Sequence, residues 1–97
     1  MTPFEERLQS LRARFIAQAA TEADAIEWHA TALAWHEVRD ISHGLVGRAG
    51  MFGFAALSET AGKVEAAIER GGTAERMQCL TQELVSRLRE LSNAMAG

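Results

Sequence analysis

Met77, Leu80, Leu84, Leu88, Leu91 and Met95 recur at intervals of three and four residues near the end of this 97-residue chain. That spacing lines one side of an α-helix, because side chains three and four apart stack on successive turns. A helix with such a stripe must lay it against other helices. The rest of the chain offers partners with the same period: Phe4, Leu8, Leu11 and Phe15; then Ile26, Ala30 and Leu33. Two further stripes follow, one of Ile41, Leu45 and Phe52 flanked by Val38 and Ala49, the other of Phe54, Leu57, Ala61, Val64 and Ile68. No strand-like alternation is present, and the one proline, Pro3, sits near the start. The expectation is an all-α fold, an antiparallel four-helix bundle with a possible additional N-terminal helix, residues 1–97 forming a single domain.

Punctuation residues set the segment ends. Thr2-Pro3 followed by Glu5 and Glu6 predicts a helix start, with a capping hydroxyl, proline in the first turn and acids near the positive end of the helix dipole. Gly53 after Phe52 predicts a left-handed cap, and Gly71-Gly72 stops the following helix before Thr73 opens the last one. The residues leave open whether 3–33 is one bent helix or two. Trp28 and Trp35, seven apart, are expected to pack in the core or at a helix junction.

Charge and chemistry narrow the function. Ten basic against thirteen acidic residues, a net charge of −3, provide no basic stripe for nucleic acid. Cys79 alone excludes an internal disulfide or a multi-cysteine metal site. Met-Thr-Pro-Phe-Glu-Glu has neither the basic start nor the apolar run of a secretory leader. No stretch approaches the ~18 apolar residues of a membrane span, so a cytoplasmic chain without membrane attachment is expected. His29, His36 and His43 are seven residues apart, a helical rise of about 10.5 Å per step, too far for two imidazoles to grip one ion. Metal binding is therefore not expected. Ser42 and His43 point about 100° apart on a helix, which makes them poor triad partners. No glycine loop with lysine is present to cradle a nucleotide, so independent kinase activity is not expected.

His43 remains. Wound as a helix, the run Ile41–Gly53 turns this imidazole away from the apolar stripe, onto a side shared with His36, Arg39, Asp40, Val46, Gly47 and Gly50. Gly44, Gly47 and Gly50 cost about 1 kcal/mol each relative to alanine in a helix interior. Gly47 and Gly50 lie on the histidine's side, where missing side chains clear a landing area for a large partner.

His43-x-Leu45-x-Gly47-x-x-Gly50-x-Phe52-Gly53, followed by Phe54, Leu57, Ala61 and Glu65, resembles the histidine-phosphotransfer (Hpt) domain, most strongly over residues 39–68. The resemblance implies a phosphorelay carrier of a two-component system, without kinase activity of its own. Its His43 would take a phosphoryl group from, or return it to, an aspartate of a response-regulator receiver domain, with a hybrid histidine kinase as a further partner. It also implies no cofactor on this chain, the magnesium, carboxylate cluster and lysine belonging to the receiver. The family commonly places lysine three residues after the histidine, where this chain has Val46. Arg39, one turn before His43, or Arg48 would substitute, Arg39 being the better placed, and His36 would line the approach. The outer ring nitrogen would react while a hydrogen bond holds the inner one; the sequence does not name its partner. The alternative is a docking module that binds a receiver or kinase without carrying phosphate.

Overall fold

The computed structural model describes residues 1–96, and side chains as far as Ala94. All of its regular structure is helical: α1 (Pro3–Ala17), α2 (Ala19–Thr31), α3 (Trp35–Met51), α4 (Ala55–Glu69) and α5 (Ala74–Ala96). The side chain of Met95, the last member of the α5 stripe, lies outside the described residues.

Helices α2 to α5 form a four-helix bundle in which α3 packs on α2 and α4, and α5 closes the ring on α4 and α2. The α3–α4 interface is the most extensive of these. Its register is antiparallel: Arg39 meets Glu69, His43 meets Glu65, and the Val46 carbonyl meets Ser58. The core is built from Ala23, Ile26, Val38, Leu45, Ala61, Val64, Leu84 and Leu88, with Phe15 sealing one end.

Three helix ends share one turn. The N–H of Ala34 donates to the His29 carbonyl at 2.8 Å, Phe54 to Ala49 at 2.8 Å, and Gly72 to Ala67 at 2.9 Å. Each preceding residue has positive φ: Leu33 at 59°, Gly53 at 86° and Gly71 at 67°. This is the Schellman arrangement, which pairs the last helical carbonyls and reverses the chain within a few residues. Glycine takes that conformation freely, whereas Leu33 carries a steric cost there. The helix starts follow their sequence signals: Thr2 Oγ1 accepts from the Glu5 N–H and Thr73 Oγ1 from the Arg76 N–H, both at 3.1 Å.

Residues 3–33 form two helices, separated at Gln18, whose N–H still bonds back to the Arg14 carbonyl at 3.0 Å. The break lets α1 leave the bundle. Of its stripe only Phe15 is buried, against Phe52 and Phe54 with ring centroids 5.6 and 5.7 Å away. Phe4 is 71% exposed. Arg12 ties the same corner, donating to the Phe52 carbonyl at 3.3 Å and lying over the Phe54 ring.

Two expectations about packing need correction. Trp35 is half-buried against the core, but Trp28 is 72% exposed. The buried face of α2 is Ala19, Ala23, Ile26 and Ala30, and Trp28 lies two residues from both Ile26 and Ala30, about 200° round the helix. In α3 the deepest residues are Val38, Ser42, Leu45 and Ala49, while Ile41 and Phe52 are only half-buried. The core line is rotated from the bulky stripe, with the small Ser42 fully buried on it.

Candidate functional site

His43 lies midway along α3, with its side chain 69% exposed. The exposure follows from the rotation just described: with Val38, Ser42, Leu45 and Ala49 fixed inward, position 43 must face out beside α4. Across the seam, α4 places Ser58, Gly62, Glu65 and Glu69 at four- and three-residue intervals along one edge. Glu65 reaches back, and its Oε2 lies 2.5 Å from His43 Nδ1. The Glu65 side chain is only 17% exposed, so its position is set by packing. With Nδ1 protonated, the imidazole donates to Glu65 and keeps its lone pair on Nε2.

A larger ionic cluster surrounds this pair. Arg39, one turn before His43, has Nη1 3.1 Å from Asp40 Oδ1 and Nη2 3.5 Å from Glu69 Oε2. Its Nη2 also lies 3.9 Å from Glu65 Oε2, the oxygen that binds His43. The Arg39 pKa is raised above the ordinary arginine value, first by the hydrogen bond to Asp40 and then by the charge of Glu69. His36 extends the cluster outward: it is largely exposed, with Nε2 3.4 Å from Asp40 Oδ2. Three carboxylates thus share one arginine beside His43.

C-terminal to His43 the surface changes character. A Cβ added at Gly47 would meet no heavy atom within 4 Å, and one at Gly50 would meet only Ser58 Oγ at 3.5 Å. Neither position needs glycine for helix packing. Met51, 62% exposed, ends this open strip. Val46, expected on the open side, is half-buried against α4 instead, where its Cγ2 would lie 3.8 Å from a Cβ at Gly62. Its carbonyl accepts from Ser58 Oγ at 2.8 Å. A seam position of this kind suits a branched apolar side chain.

Arg48 is not part of this group. It leaves the opposite flank of α3, pairs with Glu22 of α2 at 2.8 Å and lies over the Phe15 ring. The structure therefore gathers His43, Arg39, His36, Gly47 and Gly50 along one face and sends Arg48 elsewhere. Glu65 is the participant whose role sequence reasoning missed. It stands in the motif that carries the resemblance, but its contact with His43 depends on the α3–α4 register. Among the described residues no group of three or more histidine, cysteine or acidic side chains is arranged to hold a metal ion. No described helix is long and apolar enough to cross a membrane.

The arrangement offers an exposed imidazole whose Nδ1 is engaged by Glu65, held on a helix beside open surface. Neither the curated proteins nor the solved structures searched include a match. The family model of the Hpt domain matches residues 10–95, nearly the whole chain and all five helices in whole or part, and the chain belongs to the Hpt domain family.

Proposed function

We propose that this chain is a phosphorelay carrier whose His43 accepts a phosphoryl group from the aspartyl phosphate of a receiver domain and passes it on. The observation that carries the reading is the His43–Glu65 contact, which engages Nδ1 and leaves Nε2 as the exposed nucleophile. In the forward step the Nε2 lone pair forms the N–P bond. The P–O bond to the receiver's aspartyl oxygen breaks, and its electron pair leaves with the carboxylate. No proton departs from Nε2, so the ring gains positive charge as the bond forms. Glu65, beside Nδ1–H, stabilises that charge more in the transition state than in the neutral ground state, which is the differential interaction a rate enhancement needs. The rest of the work is positioning and charge neutralisation.

The receiver supplies the magnesium and carboxylate cluster in this reading; this chain supplies the nucleophile and the surface. Gly47 and Gly50 let the partner's backbone approach, with His36 and Met51 at the margins. Arg39 is the cation nearest the pair, while Arg48 serves the fold. A histidine kinase is a second source or sink for the phosphoryl group.

The test is intact-mass measurement after mixing with a phosphorylated receiver domain, alongside His43→Gln. An acid-labile gain of one phosphoryl group that disappears in the variant supports the carrier. Binding to receivers without any gain favours a docking module, a reading that draws on Val46 occupying the family's lysine position and lying half-buried in the seam.

A further inference from the structure

Arg39 invites the role of the missing lysine, a cation for the phosphoryl oxygens, but its contacts indicate a different one. Its guanidinium already faces three carboxylates, Asp40 at 3.1 Å, Glu69 at 3.5 Å and Glu65 at 3.9 Å. Moving to a phosphoryl group would leave Glu65 and Glu69, one turn apart on the same edge of α4, without the cation they share. The informative contact is the longest. Arg39 Nη2 and His43 Nδ1 approach the same oxygen, Glu65 Oε2, from two sides.

We infer that Arg39 is a positioning residue that acts on His43 through Glu65: it limits how strongly that carboxylate favours the imidazolium form, and so keeps Nε2 unprotonated and able to attack. This rests on the carrier reading above. A carboxylate beside a histidine favours the charged ring, whose Nε2 holds a proton instead of a lone pair. Such a carboxylate helps the transition state yet also favours the form without a lone pair. A cation on the same oxygen offsets the second effect, while the direct hydrogen bond preserves much of the first.

The groups around His43 fix the sign of each test. Helix α3 contributes Arg39, Asp40 and His36, and α4 contributes Glu65 and Glu69; the charged pair Arg48–Glu22 lies on the far flank of α3. Arg39→Gln removes the cation, so the imidazolium is favoured and half-maximal phosphoryl acceptance moves to higher pH. Glu69→Gln removes a competing anion, so acceptance moves to lower pH. Each shift is expected to be about half a pH unit for partly exposed charges. Arg39→Lys restores most of the wild-type profile, because a point charge suffices.

The experiment has two readouts on the same four proteins: NMR titration of the His43 ring without phosphate, and the pH profile of acceptance from a phosphorylated receiver. Opposite displacements for Arg39→Gln and Glu69→Gln, with rescue by Arg39→Lys, support the inference. Unchanged midpoints, or a fall in plateau rate without displacement, overturn it and return Arg39 to a direct role on the phosphoryl group. The ring titration needs no transfer. If it shifts as stated while no variant and no wild-type protein accepts phosphate, the Arg39–Glu65 coupling stands and the carrier reading fails.

Discussion

Arg39 and Arg48 leave opposite flanks of α3, and each meets carboxylate from a neighbouring helix, yet the surroundings differ. Arg48 pairs with a single carboxylate, Glu22, also donates to the Gly44 carbonyl, and lies over Phe15 at the corner where α1 joins the bundle. Arg39 has three carboxylates, and one of them also holds the ring of an exposed histidine. The Arg48 flank is a clamp between elements. The Arg39 flank concentrates acids, which a stability argument alone does not require, around an exposed imidazole bordered by open glycines. On the carrier reading one flank serves the fold and the other serves chemistry, and substitutions on each should therefore have separable effects.

The largest separation is expected at His43 itself. His43→Gln should abolish phosphoryl acceptance while lowering unfolding free energy by about 1 kcal/mol at most, the worth of the hydrogen bond to Glu65. Intact mass and urea denaturation on the same preparation read both. Two residues along, Leu45 is fully buried. Leu45→Ala should cost about 2–5 kcal/mol in urea denaturation, yet leave acceptance per folded molecule intact. Gly47 gives a sharper contrast because nothing stands near its absent side chain. Gly47→Leu should raise stability by up to about 1 kcal/mol through helix propensity while slowing transfer from a receiver by about tenfold or more. A destabilised Gly47→Leu protein would assign that glycine to packing. Arg48→Ala is the smallest case: a loss of about 0.5–1 kcal/mol, allowing for solvent screening of a partly exposed pair, with transfer unchanged.

The sequence revealed some of this and concealed the rest for physical reasons. The exposure of His43 was legible because a helix's winding is local: once Leu45 and Ala49 turn inward, position 43 turns out. Both glycine caps and both threonine caps were legible for the same reason. The depth of Ser42 was not, since serine is usually exposed and its burial is set by how neighbouring helices pack, not by the pattern of its own helix. Trp28 misled because burial of apolar side chains is a one-way tendency: many apolar atoms stay at the surface of folded proteins. The stripe of α1 is genuine, but only Phe15 of it is fully covered: Leu8 is half-buried, and Phe4 and Leu11 are exposed. Glu65 was visible as a motif position, yet its hydrogen bond to His43 arises from the register between α3 and α4, which no single-helix pattern encodes. The ion pairs of Arg89 with Asp24 and Glu27, joining α5 to α2, were hidden in the same way.

The most direct test of the account is to locate the phosphoryl group on the ring. A receiver-phosphorylated sample labelled with ¹⁵N in histidine should show phosphorus coupling to Nε2 of His43, with Nδ1 still protonated and that proton lost to rapid exchange in Glu65→Ala. Phosphorus coupled to Nδ1, or found on His36 or His29 instead, would contradict it.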